Sequence, residues 1–307
     1  MKYGYLGPEG TFSEAAVRKL TAARGIEADL LPMHSVLLAL DAVRAGELEA
    51  AVVPIENSVE GGVSATLDAL TAGEPLQVVG EEVVPVTFDF VVRPGLGRED
   101  VTRVASHPHG LAQCSNWLHE QFPKATLIPA LSTASAAVGL LEDDAAYDGA
   151  LCSPLAAQKL GLTPMYTDIG DNPNAMTRFV LVSRPGRLPA PTGADKTTLV
   201  VFLKDERAGA LLEILEQFAT RGINLNRLES RPTGDGLGRY CMSIDAEGHV
   251  EDARLSEALK GLHRVSAHVR FLGSYPRADG EPPHVRPENS NASFAEADAW
   301  LNSILSS

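Results

Sequence analysis

Over its first 183 residues the chain alternates short apolar runs with amphipathic helical stretches, and that alternation confines this region to an α/β architecture. Runs at 3–6, 50–54, 101–106, 125–129 and 179–182 read as strands. Stretches at 12–23, 35–45, 64–70, 111–120, 134–141 and 154–160 carry helical periodicity. The apolar segment 76–93 is strand-rich, stops at Pro94-Gly95, and is expected to cross between two lobes. Residues 184–195 form a linker by their Pro and Gly content. Beyond it lies a second pattern: strand 197–203, helix 209–220, strand 224–230, strand 239–245, helix 251–262, strand 267–273. This is the ferredoxin-like βαββαβ order, and it leaves a sheet edge and a helix face free for pairing. From 276 to 307 Pro, Asn, Ser and charged residues accumulate, so this tail is expected to be disordered, with a weak helix over 294–305.

Several function classes lack their parts. No apolar stretch approaches the roughly 20 residues that span a bilayer, and the N-terminus runs into a strand without the pattern of a signal peptide. The net charge of −14 disfavours nucleic acid and anionic membrane as partners. Cys114, Cys152 and Cys241 are too far apart for a metal or redox pair and read as reduced thiols of a cytoplasmic protein. There is no P-loop, no His-Glu-x-x-His and no Gly-x-Ser-x-Gly.

Polar clusters sit instead where strands end and helices begin, which is where open α/β folds bind ligands. They are Gly7-Pro8-Glu9-Gly10-Thr11-Phe12-Ser13, then Glu56-Asn57-Ser58 with Gly61-Gly62, then Ser106-His107-Pro108-His109 with Gln113. Ser132-Thr133-Ala134 and Asp168 to Asn174, leading into Thr177-Arg178-Phe179, complete the set. Each has a plain structural reading, since Ser and Thr before a helix are commonly N-caps and Asp-Asn-Pro-Asn is a turn composition. Five at successive strand ends carry more weight than one.

In this order the clusters resemble the prephenate dehydratase family, over about residues 2–275. Thr177-Arg178-Phe179 is similar to that family's catalytic signature, and Glu56-Asn57-Ser58, Ser106-His107-Pro108 with Gln113-Cys114, and Ser132-Thr133-Ala134 match its other motifs. The second unit is similar to an ACT domain through Gly209-Ala210-Leu211-Leu212 and Glu229-Ser230-Arg231-Pro232. Leu212 stands where many relatives carry valine.

The resemblance implies a catalytic domain over 1–183, built as two lobes like type-II solute-binding proteins (1–75 with 164–183, and 76–163). An ACT domain over 196–275 follows. It implies cofactor-free and metal-free loss of carbon dioxide and hydroxide from prephenate, in a cytoplasmic homodimer or homotetramer joined through ACT and catalytic domains. Thr177 would assist the leaving hydroxyl within a network that includes Asn57, Gln113 or Ser106. Arg178, the only Arg or Lys in the clusters, would clamp the side-chain carboxylate. Phe179, Thr11, Ser132, Thr133, Ala134 and Glu56 would complete the substrate site. Because a bare carboxylate would repel a dianion, Glu56 is expected to be paired, protonated or turned away. L-Phenylalanine would bind where two ACT domains meet, on Gly209, Ala210, Leu211, Leu212, Asn224, Leu225, Glu229, Ser230 and Arg231. Arogenate as substrate, and a non-catalytic receptor, remain as alternatives.

Overall fold

A computed structural model of the chain describes residues 1–234, 236 and 239–306. The first apolar run forms β1 (Lys2–Leu6), which pairs in parallel with β2 (Asp29–Met33) and β3 (Ala50–Asn57). With β5 (Gln77–Pro85) and β11 (Met176–Ser183) they make a sheet in the order β2-β1-β3-β11-β5, and the short β4 (Gly61–Gly62) folds back on β3. The inner strand β3 is apolar almost throughout, as a strand covered on both faces should be: Ala51, Val52, Val53 and Ile55 are fully buried. Helices α1 (Phe12–Ala23) and α2 (Val36–Arg44) belong to this lobe's connections, and α3 (Ser64–Thr71) follows β4. The hydroxyls of Thr11 and Ser35 cap α1 and α2, accepting the N–H of Glu14 and Leu38.

A second sheet runs β10-β6-β9-β7-β8, from β6 (Asp89–Val92), β7 (Arg103–Ser106), β8 (Thr126–Pro129), β9 (Gly149–Cys152) and β10 (Pro164–Tyr166). Its core centres on Phe90, whose ring lies 4.8 Å from Phe122 and 5.5 Å from Trp117. The chain passes from the first sheet to this one through β5 and β6 and returns through β10 and β11. The helix expected over 111–120 is two: α4 (Pro108–Gln113) and α5 (Ser115–Gln121), broken at Cys114. Asp171 supplies the reason, because its carboxylate accepts the N–H groups of Asn116 and Trp117 and starts a new helix there. Helices α6 (Thr133–Gly139) and α7 (Pro154–Lys159) complete the lobe.

One glycine joins the lobes. Gly10 has φ +82°, and a Cβ there would lie 3.0 Å from the Cα of Ala156 on α7. Beside it Ser153 donates to the Gly10 carbonyl, and Lys159 of α7 reaches Glu9 and the buried Glu14 of α1.

The C-terminal sheet, β13-β14-β12-β15, consists of β12 (Asp195–Phe202), β13 (Leu225–Pro232), β14 (Tyr240–Glu247) and β15 (His268–Pro276), all antiparallel to their neighbours. Helices α8 (Ala210–Ala219) and α9 (Ala253–Val265) bury Ile214, Phe218, Leu255, Ala258 and Leu262 in one core. By internal contacts the chain forms two units, Met1–Thr66 with Glu82–Leu181, and Leu67–Glu81 with Val182–Ser307. Residues 67–75, expected to stay with the first lobe, therefore group with the C-terminal unit. Arg270 donates to the carbonyls of Ala72 and Gly73, and Arg231 holds Asp68. Within the same unit Lys196 binds Glu81, and a Cβ on Gly273 would meet the Val78 carbonyl. The tail, expected to be disordered, carries helix α10 (Asn291–Leu305), capped by Ser290 and tied to α9 by the Asn291 carboxamide, which accepts the Ala253 N–H. No residue of α10 is buried.

Candidate active site

Both lobes of the first unit line one cavity of about 440 Å³. One wall is apolar, from Phe12, Val63, Val86, Phe88, Leu131 and Phe179, with Phe12 and Phe88 in edge-to-face contact at 5.9 Å. The polar side carries Asn57, Thr177, Gln113, Ser132, Thr133, His34, His107, His109 and Glu60.

Thr177 and Asn57 meet across 120 residues of sequence. The Asn57 carboxamide N–H donates to Thr177 Oγ1 at 2.9 Å. Its orientation is fixed, because Asn57 Oδ1 accepts the backbone N–H of Val59 at 2.8 Å and Glu60 at 3.2 Å. Ser58 ties the same two strands, its N–H bonding the Met176 carbonyl and its hydroxyl accepting the Met176 N–H. Thr177 Oγ1 is thus an acceptor toward Asn57, and its own proton is directed elsewhere.

The strand that presents Thr177 turns the next residue away. Thr177 and Phe179 line the cavity while Arg178 between them does not, since alternate residues of a strand face opposite sides. The Arg178 guanidinium is buried against Glu56, Nε to Oε2 at 3.1 Å, and Glu56 is likewise absent from the lining. This corrects the expectation that Arg178 faces the substrate and resolves the Glu56 anomaly: the two neutralise each other off the cavity.

Ser106 is a second correction. Its fully buried hydroxyl donates to the Leu151 carbonyl at 2.9 Å, bracing β7 against β9, and takes no part in the lining. Ala134 is packed in the core under α6 and presents no side chain to the cavity. Thr11 reaches the lining, but its hydroxyl is engaged with Leu6 O, Pro8 O and the Glu14 N–H. Ser132 forms a reciprocal cap with Ser135 at the start of α6. Gln113 lines the cavity with a buried Oε1 that has no hydrogen-bond partner among the described residues.

Four titratable residues of the lining lie outside the site expected from the sequence: His34, Glu60, His107 and His109. The signal for two of them was the Ser-His-Pro-His string itself. His107 Nδ1 accepts the His109 N–H at 3.3 Å, and burial, with His109 adding, holds His107 below the usual imidazole range. His109 Nδ1 pairs with Glu60 across the two lobes. No cluster of three or more His, Cys, Asp or Glu suited to a metal occurs among the described residues. Burial pushes the thiols of Cys114 and Cys152 up to about 12, with Asp171 and Asp89 respectively adding, so neither is a ready nucleophile.

The residues named for an effector are spread over the C-terminal unit. Gly209 caps α8 with φ +86° and open space around its Cβ position. Leu211 and Leu212 are exposed on α8. Asn224 donates to Glu247, just before Leu225 opens β13. Glu229 lies 3.6 Å from Arg231 on one face of β13, whereas Ser230 points to the other.

Comparison with known proteins agrees over the whole chain. The prephenate dehydratase family model matches residues 3–187, and the ACT domain model matches 197–264. A prephenate dehydratase of Amycolatopsis methanolica is 44% identical over 304 residues, covering 99% of this chain and 97% of that protein. A prephenate dehydratase from Arthrobacter aurescens, solved in complex with L-Phe, is 55% identical with a TM-score of 0.94 and 100% coverage of both chains. The structure of GqqA, described as a novel type of quorum quenching acylase, is 31% identical with a TM-score of 0.79, covering 90% of this chain and 98% of that one. With a family match over most of the chain and full-length relatives at this identity, the chain belongs to the prephenate dehydratase family, with an ACT domain at its C-terminal side.

Proposed function

We propose that the chain is a prephenate dehydratase, a carbon–oxygen lyase of phenylalanine synthesis that phenylalanine regulates. Prephenate dianion and one proton give phenylpyruvate, carbon dioxide and water. The bond from the ring to its carboxylate breaks, that electron pair enters the ring, and the ring hydroxyl leaves, so aromatisation supplies the driving force. No external electron acceptor is required.

The step that needs help is departure of the hydroxyl, which must gain a proton or a strong hydrogen bond. The Asn57–Thr177 hydrogen bond carries the proposal. Because Thr177 Oγ1 accepts from Asn57, its O–H is left to donate to the leaving oxygen as charge develops there. The Asx turn at Asn57 fixes this polarity before substrate arrives. The apolar wall of Phe12, Phe88 and Phe179 suits the ring and withdraws the departing carboxylate from water, favouring neutral carbon dioxide. Thr11, Ser132 and Thr133 then bring the starts of α1 and α6 to the substrate, where the helix dipole favours negative charge.

Acyl transfer, the activity named for GqqA, finds less support in the side chains. The Ser106 hydroxyl is consumed by Leu151, and the bond that His107 accepts comes from a backbone N–H, not from a hydroxyl or thiol nucleophile.

For regulation, the support is the phenylalanine complex of the Arthrobacter aurescens relative, together with the exposed Leu211 and Leu212 on α8 and the edge strand β13. Two ACT domains pair along that face, and phenylalanine binds at the seam, Gly209 giving its backbone close access. The enzyme acts in the cytoplasm as a dimer or tetramer. Purified protein given prephenate should generate phenylpyruvate absorbance above the spontaneous rate, less so with phenylalanine present. Turnover of arogenate but not prephenate, or of neither, would overturn the assignment.

A further inference from the structure

The cavity proposed to take a dianion has no Lys or Arg among its lining residues. Arg178, the cation that the motifs supply, is turned away and neutralised by Glu56. The groups that can carry positive charge in the lining are three imidazoles, and they are not equivalent. His107 is kept basic only weakly by burial and accepts an N–H at Nδ1, which favours its neutral form. His109 is occupied by Glu60. His34 stands between β2 and the cap of α2, exposed, with no hydrogen bond or ion pair to any described residue.

Its position is also distinctive. His34 lines both the 440 Å³ cavity and an adjoining hollow of about 800 Å³, which share Gly7, Leu131 and Ser132. It stands at the junction of the two hollows, within reach of a ligand that extends from one into the other. The chemistry dictates which carboxylate a cation there should hold. A cation on the ring carboxylate would stabilise the ground state and oppose loss of carbon dioxide, whereas the side-chain carboxylate is unchanged by the reaction and serves as a handle.

We propose that His34, as imidazolium, binds the side-chain carboxylate of the substrate and takes the part that the sequence motif assigns to Arg178. The inference rests on the dehydratase reading. The charged and titratable groups facing His34 are His107, His109 and Glu60 in the cavity, and Glu9 in the hollow, where Glu9 is held by Lys159. Binding of the carboxylate requires the protonated ring, so kcat/KM should fall as rising pH takes the proton from His34.

Steady-state kinetics of the full chain on prephenate, over roughly pH 5 to 8, test this. His34→Gln should raise KM about ten- to a hundredfold, the loss of one charge-assisted hydrogen bond, with a much smaller change in kcat and a flattened pH profile. His34→Arg should keep KM low and remove its pH dependence. An active His34→Gln enzyme with the wild-type KM and profile would overturn this inference alone. A wild-type chain inert toward prephenate would overturn it together with the functional reading.

Discussion

Strands β11 and β13 each carry a motif, and they use the same alternation of side chains to different ends. β11 lies inside its sheet between β3 and β5, so both its edges are paired within the chain, and of its two faces one presents Thr177 and Phe179 to the cavity while on the other Arg178 meets Glu56. β13 is an edge strand with one neighbour, β14. Its inner face is a charge ladder in which Arg227 binds Asp245 and Ser243, and Arg231 binds Asp68. Its other face, with Leu228 and Ser230, is exposed. A central strand can complete a reactive site alone. An edge strand leaves half of one for another surface to supply, which suits catalysis in the first unit and effector sensing in the second.

The comparison breaks most directly at Thr177. Thr177→Ala removes the donor aimed at the leaving hydroxyl and should lower kcat by about 10²–10³-fold, while Thr177→Ser keeps much of the rate. Initial rates of phenylpyruvate formation decide it, and a wild-type rate in the alanine variant removes the catalytic assignment.

The next effect concerns how far the first unit is self-contained. Glu14 is buried on α1, and burial alone would raise its pKa, but hydrogen bonds from Lys159, the Gly10 N–H and Arg18 hold it below the usual carboxylate range. A carboxyl depressed in the folded state contributes stability above its unfolded pKa and loses it as pH falls through the folded one. Lys159→Met should therefore cost about 2 kcal/mol at neutral pH. It should also weaken the acid-dependent part of unfolding below about pH 4.5. Thermal melts at two pH values read both.

On the other side of the comparison, Gly209→Val should abolish the phenylalanine response while turnover without effector persists. The space beside Gly209 is open, so the cost arises from placing a β-branched residue at φ +86°, about 1–2 kcal/mol against the local turn. Inhibition at the wild-type phenylalanine concentration would move the effector site elsewhere. The smallest effect should come from Asp68→Asn. It releases Arg231 from an exposed ion pair that contributes at most about 1 kcal/mol, so the half-inhibiting phenylalanine concentration should shift only a few-fold. No shift would show that Arg231 is not a link in the response.

Much of this molecule is legible in its residue order. Periodicity reveals the α/β region and the βαββαβ unit, and several residues of the polar clusters, among them Thr11, Asn57, Gln113, Ser132 and Thr177, reach the cavity lining. The rule that places Thr177 and Arg178 on opposite faces was available from the sequence as well, once that segment is read as a strand. What periodicity misses are the short strands β2, β9 and β10, and the break at Cys114. The break depends on Asp171, more than fifty residues further along the chain.

The sequence by itself determined which residue types stand at strand ends and so the family to which the chain belongs. Tertiary structure alone decided which of them are chemically free. A hydroxyl or guanidinium is available only if no distant group has claimed it, and such claims come from far along the chain. Leu151 takes the Ser106 proton, Glu56 takes Arg178, and Asn57 orients Thr177 without taking its proton. No local pattern encodes those pairings, because each is set by where two lobes and their sheets bring remote atoms together.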